Sequence, residues 1–263
     1  MNPANDKREI ALITGASSGI GIEVARELAA RGYDLVVTAR REDRLLALKK
    51  ELEAAGRTRV EVLAEDLGAP GGAEALIQRV EALGWPISFL VNNAGFGVHG
   101  DFLDHKAERI NQMLQLNVAA LTTLTWHFGR AMRTRGQGRV LQVSSVGAYQ
   151  PTPCYAPYAA TKAYILFLSE ALNNELRGTG VTITTLCPGL TKTEFQEVAV
   201  HTVSAGIMMT AMTAQEVARI GVRGALRGRT VVTPGIINKI AALSAKLLPR
   251  SWSTAIAGMT MRG

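Results

Sequence analysis

The segment from Ile10 to Gly21, IALITGASSGIG, passes from a short apolar run directly into a turn carrying three glycines. A helical pattern follows at once: Ile20, Val24, Leu28 and Ala29 recur at helical spacing within residues 20–31, and Gly32 stops the pattern. Strand, glycine-rich turn and helix in direct succession leave few folds open. Gly15, Gly19 and Gly21 let the backbone turn tightly, with Ser17, Ser18 and Ile20 between them, and the helix that follows aims its first amides at any anion held there. A pyrophosphate suits such a turn, although glycine also serves ordinary turns. The spacing is G-x-x-x-G-x-G, not the G-x-G-x-x-G of the usual dinucleotide fingerprint.

The same alternation continues down the chain. DLVVTAR reads as a strand and REDRLLALKKELEAAG as an amphipathic helix, and RVEVLAEDL, SFLVNNAG, GRVLQVSS and VTITTLCPG read as further strands separated by helical stretches. Short continuous apolar strands bounded by helices indicate a parallel sheet covered on both faces. The expectation is one doubly wound, Rossmann-like α/β domain over residues 10–235, preceded by an arm (1–9) and followed by an amphipathic segment (236–263). At 263 residues and 47% hydrophobic, the chain has ample material for that core.

Composition narrows the function. The N-terminus MNPANDKREI is polar and no stretch approaches a membrane span, so a cytoplasmic protein is expected. Two cysteines in unrelated contexts and four histidines without ligand spacing point away from a metal site. The net charge of +7 invites a nucleic-acid reading, but the basic residues are spread along the chain without interleaved aromatics. Attraction to small anions fits better.

YAPYAATK, Tyr155 to Lys162, carries the chemistry. Pro157 suits the first turn of a helix, which places Tyr158 at the positive end of the helix dipole and Lys162 one turn on. A tyrosine of pKa about 10 is a poor base at neutral pH, and a lysine charge at about 4 Å in an effective dielectric of about 20 supplies roughly the 4 kcal/mol needed to lower it by about 3 units. The plain reading, a Tyr and a Lys on the wet face of a helix, has the same spacing. At the end of the second strand stand Thr38, Arg40 and Arg41, where a carboxylate would mark NAD. Arginine there matches a 2′-phosphate, unless both arginines are a solvated helix start.

Taken together, T-G-x-x-x-G-x-G at Thr14 to Gly21, NNAG at Asn92 to Gly95, Asn117, VSS at Val143 to Ser145, Tyr158 with Lys162, and Pro188-Gly189 with Thr193 resemble the classical-type short-chain dehydrogenase/reductase family over roughly residues 8–235. ARREDRL and YAATKA resemble its bacterial NADP-dependent reductases. The resemblance implies an oxidoreductase that moves a hydride between NADP and a carbonyl or secondary alcohol. It casts Tyr158 as the proton donor or acceptor, Lys162 as its partner on the nicotinamide ribose, and Ser145 as the holder of the substrate oxygen. Ser145 is chosen over Ser144 because it stands 13 residues before Tyr158. Asn117 would fix a water beside Lys162, or would satisfy a kink in its own long helix. Asp66, Leu67, Asn93, Ala94, Gly95, Pro188, Gly189, Thr191 and Thr193 join the glycine turn and the two arginines as cofactor residues. A homodimer or homotetramer is implied. The rival reading is an NADP-binding interaction module without turnover.

Two segments remain. Thr191 to Thr213 follows the Pro-Gly turn, where the family keeps its substrate loop; Phe195, Met208, Met209 and Met212 make it an apolar lid or part of the core, ended by a TAQE capping box. Ile236, Ile240, Leu243 and Leu247 share one helical face, which packs on its own domain or a sister subunit, or rests shallowly on a membrane through residues 236–248.

Overall fold

The structure, a computed structural model, describes residues 8–56, 58–195 and 211–262. Seven parallel strands form one sheet in the order β3-β2-β1-β4-β5-β6-β9: β1 Ile10–Thr14, β2 Asp34–Ala39, β3 Val60–Ala64, β4 Ile87–Asn92, β5 Gly138–Val143, β6 Val181–Leu186 and β9 Val231–Val232. Two short strands, β7 Thr191–Lys192 and β8 Met212–Thr213, pair apart from it. Helices α1 Gly19–Ala29, α2 Glu42–Ala55, α3 Gly72–Ala82, α4 Ala107–Leu114, α5 Leu121–Arg135, α6 Ala156–Glu175 and α7 Ala214–Leu226 accompany the sheet, and α8 Ile236–Leu247 and α9 Arg250–Arg262 close the chain.

The central strands are mostly buried because both faces are covered, while edge strand β3 is half-buried at Glu61, Val62 and Ala64. One apolar layer gathers Ile13, Leu35, Val37, Phe89 and Leu141 with α1 and α7; the other gathers Leu12, Val36, Leu90 and Val140 with α3 and α5. The order reverses between β1 and β4, and the chain exits both strands at the same end. A crevice there is where doubly wound sheets hold ligands. The doubly wound expectation is met.

Several local readings are refined. Asn117 lies in a π-helical turn, Gln115–Ala120, that joins α4 to α5; an extra residue in the turn offsets the helix register and is a frequent mark of functional positions. Pro157 occupies the first turn of α6, as expected. The TAQE capping box forms, Thr213 Oγ1 accepting from Glu216 N at 3.2 Å while the Glu216 side chain returns to Thr213 N. The proposed lid falls largely outside the described residues, including Met208 and Met209. Of its described members Phe195 reaches the site, whereas Met212 packs against the main core.

Candidate active site

The glycine turn is built around Thr14 and Asn93. Buried Thr14 Oγ1 accepts from Asn93 N and Ala94 N, both at 3.0 Å, and Asn93 Nδ2 donates to Thr14 O and Gly15 O at 3.0 and 3.2 Å. These bonds clamp the end of β1 to the loop after β4. Gly15 has φ +68°, and a Cβ there would stand 2.9 Å from Ala94 Cα. A Cβ on Gly21 would stand 2.2 Å from Gly15 O, so only glycine lets α1 start directly beneath the turn. Ser18, the N-cap of α1, makes no side-chain cap bond, which leaves the first-turn amides for an anion.

Arginines gather at the end of β2. Arg41 donates to Ser17 Oγ through Nε and Nη2 at 3.3 and 3.2 Å and to Glu194 Oε2 through Nη1 at 2.9 Å. Arg40 is exposed on the same rim, and its charge, after burial, holds down the pKa of Arg109, whose guanidinium lies 3.9 Å over the Phe96 ring. Buried Thr38 Oγ1 has no hydrogen-bond partner among the described residues and lines the same cleft. An anion-ready helix start, a close-approach turn and a cationic rim fit a phosphorylated dinucleotide.

The chemistry-bearing side chains sit at the other end. Lys162 is buried; Nζ donates to Val143 O at 2.8 Å and lies 5.6 Å from the centre of the Tyr158 ring. Burial lowers its pKa to about 8. Burial also raises the Tyr158 hydroxyl far above its ordinary value, offset in part by a hydrogen bond with Ser145. Withdrawal from water thus acts on the tyrosine against the lowering expected from Lys162, and the hydroxyl keeps its proton at neutral pH. Ser144 and Ser145 both line the cleft and differ in their partners. Ser144 is buried and donates to Lys162 O at 2.7 Å, while Ser145 caps the 3-10 turn at Val146–Tyr149 and faces the cleft.

Of the catalytic and cofactor residues expected from the sequence, all but Gly21 and Asn117 line one cleft of about 910 Å³. Gly21 packs under the turn. Asn117, fully buried, bridges backbone and helix: Oδ1 accepts from Phe96 N at 3.2 Å, and Nδ2 donates to Phe96 O and Thr161 Oγ1 at 2.9 and 3.1 Å. It holds the loop after β4 against α6, behind Gly95, whose Cβ would meet Asn117 Oδ1 at 3.0 Å and Lys162 Nζ at 3.5 Å. Tyr155 is a wall, its ring 5.8 Å from that of Tyr158. Sequence reasoning missed Thr14 as the lock of the turn, Glu194 on the arginine rim, and the contribution of α8 and α9, which wall the cleft with Ala241, Ser244, Ala245, Ser253 and Ala257. The small-residue face of α8 was readable opposite its apolar one; nothing in the sequence ties Glu194 to Arg41 at a distance of 153 residues.

A cleft that takes a dinucleotide at one end and sets an acid–base pair at the other is the working part of a nicotinamide-dependent oxidoreductase. The sequence profile for short chain dehydrogenases matches residues 9–204, and the chain belongs to that family. It is 34% identical over 188 residues to the uncharacterised oxidoreductase YvrD of Bacillus subtilis, covering 72% of this chain and 70% of that one. A short-chain dehydrogenase from Sphingobium yanoikuyae, solved in complex with NADPH, superposes with TM-score 0.80 at 34% identity, covering 90% of this chain and 92% of the other. The bulky-bulky ketone specific alcohol dehydrogenase from Comamonas testosteroni does so with TM-score 0.77 at 28% identity, covering 92% and 96%. Among the described residues no helix is long and apolar enough to cross a membrane.

Proposed function

We propose that this chain is an NADPH-dependent reductase of ketones with bulky apolar substituents. The observation that carries the reading is the cleft itself. Past Tyr158 it continues between Phe96, Tyr155 and Phe195 and residues of α8 and α9, among them Ala241, Ala245, Ile256 and Ala257, an apolar wall that suits an apolar substrate. The specificity named for the Comamonas testosteroni relative supports the same substrate class.

NADPH, when bound, supplies the hydride. Gly15, Ser17, Ser18, Gly19 and Ile20, with the α1 amides, would hold its pyrophosphate; Arg40 and Arg41 its 2′-phosphate; Asp66 and Leu67 its adenine end; Asn93, Ala94, Gly95, Pro188, Gly189, Thr191 and Thr193 the remainder. Ser145 orients the carbonyl oxygen as a neutral donor, and Tyr158 gives it a proton. The tyrosine keeps its proton at neutral pH and so has one to give. Lys162 steadies the charge left on the phenolate. Exposed Trp126 on α5 and Phe167 on α6, at 63% and 69% accessibility, support assembly of copies through that helical face.

A panel of ketones graded by size, assayed for NADPH consumption, tests the reading. Aryl and alicyclic ketones should exceed acetone-sized ones in kcat/KM by about a hundredfold. Equal rates across the panel would remove the apolar wall from the argument, and cofactor binding without any turnover would favour the interaction module.

A further inference from the structure

We propose that the outer face of α8 and α9 docks on an anionic lipid surface, setting the cleft mouth against the bilayer. The apolar residues expected to pack inward do not. Ile236, Ile240, Leu243 and Leu247 are 58–75% exposed, because α8 turns its small residues, Ala241, Ser244 and Ala245, to the cleft instead. On α9, Trp252 and Met259 are 64% and 72% exposed, while Ser253 and Ala257 face inward. Both helices are anchored from within: Lys246 Nζ lies 5.4 Å from the Tyr149 ring centre, and His99 Nε2 meets Met261 O at 3.1 Å. Their outer apolar side chains therefore have fixed places at the surface, and no described residue covers them.

Charge selects the occupant. Basic residues run along the whole chain, but the acids that offset them do not. The first 216 residues hold 21 Lys and Arg against 22 Asp and Glu, whereas the last 47 hold eight against none. The entire net positive charge thus belongs to the segment that ends in this face. Lys239 and Arg250 are exposed on it or at its corner. A second copy is a poor occupant, since a two-fold contact would bring two acid-free basic faces together. Apolar side chains flanked by lysine and arginine, with an exposed Trp, match the boundary between acyl chains and anionic headgroups. Helices of 12 and 13 residues lie along such a boundary and do not cross it.

The test is co-sedimentation of the full chain with vesicles of phosphatidylcholine alone and of phosphatidylcholine with an equal part of phosphatidylglycerol. Expected is binding to the anionic vesicles only, weakened by salt. Ile240→Glu with Leu243→Glu should lower partitioning by at least about tenfold, and Lys239→Glu by about fivefold or more, with NADPH affinity unchanged in both variants. Lys239→Glu alone decides the matter if the double variant fails to fold. Wild-type protein that stays in the supernatant overturns the proposal, as does binding that neither variant weakens. If the double variant instead halves the mass measured by light scattering and vesicles have no effect, the face joins two copies and the proposal falls.

Discussion

The two carboxylate oxygens of Glu194 lie 2.9 Å from Arg41 Nη1 and 2.5 Å from Arg44 Nη1. The protein thus lays an anion of its own across Arg44 and across Arg41, proposed above for the cofactor's 2′-phosphate, and hydrogen bonds from Arg44 and Arg41 hold Glu194 below the usual carboxylate range. All three side chains are part-exposed, so the pair is weak, and a dianionic phosphate can displace it. Arg41→Ala should therefore raise the NADPH dissociation constant by about 10- to 100-fold while changing NADH by less than about twofold. Glu194→Gln, which removes the competitor, should tighten NADPH binding by about three- to tenfold. Titration of both cofactors by fluorescence checks this. A Glu194→Gln variant that binds NADPH more weakly would make Glu194 a clamp on the cofactor and not its competitor.

Tyr158→Phe should keep NADPH affinity and lose turnover by about a thousandfold or more. The ring would still pack on Phe195, centre to centre 5.3 Å in the native protein, but no proton would reach the substrate oxygen. More than about a tenth of native kcat surviving would move the acid to another group.

The pH profile follows from two burial effects of opposite sign. Lys162, lowered to about 8, sheds its proton as pH rises through that value, while Tyr158, raised by burial, keeps its own. Reduction needs the tyrosine protonated and the lysine charged, so kcat/KM should hold level near neutrality and fall roughly tenfold per unit above about pH 8. Stability should run the other way. The unfolded lysine, of pKa about 10.4, binds more protons than the native one over this range, so the lysine term favours the fold increasingly from about pH 8 upward. A reductive profile flat to about pH 10 would exclude Lys162 as the titrating group.

Gly97 lies against the catalytic ring: a Cβ there would stand 2.9 Å from Phe195 Cζ and 3.2 Å from Tyr158 Cδ2. Gly97→Ala should shift Tyr158 by a few tenths of an ångström and lower kcat by about 10- to 100-fold, with NADPH affinity within about twofold of native. Unchanged kcat would show that the neighbouring rings absorb the methyl group.

How much of this was legible in the sequence depended on distance along the chain. The apolar strands, the glycine turn and the Tyr158–Lys162 spacing are local patterns, and local patterns dictate local geometry. The choice of Ser145 over Ser144 rests on spacing, and the bond from Ser144 to the Lys162 carbonyl is a pairing that spacing does not display. The π-helical turn at Asn117 has no counterpart in hydrophobic periodicity, because a single extra residue in a turn barely disturbs it. Glu194 on Arg41 and Thr14 on Asn93 are pairings that only the closed sheet brings together. Spacing conveys the Lys162 charge and not the burial that raises the Tyr158 hydroxyl.

The wall contributed by α8 and α9 lies beyond the stretch that matches the family profile, which ends at residue 204. Part of the cleft wall is thus supplied from outside that stretch, while Phe96, Tyr155 and Phe195 lie within it. Grafting the last two helices of a relative onto this chain should exchange its substrate range while sparing the reaction. Enlarging Ala241, Ala245 or Ala257, small residues of that wall, should work as a graded sieve, excluding ketones by girth one methyl at a time.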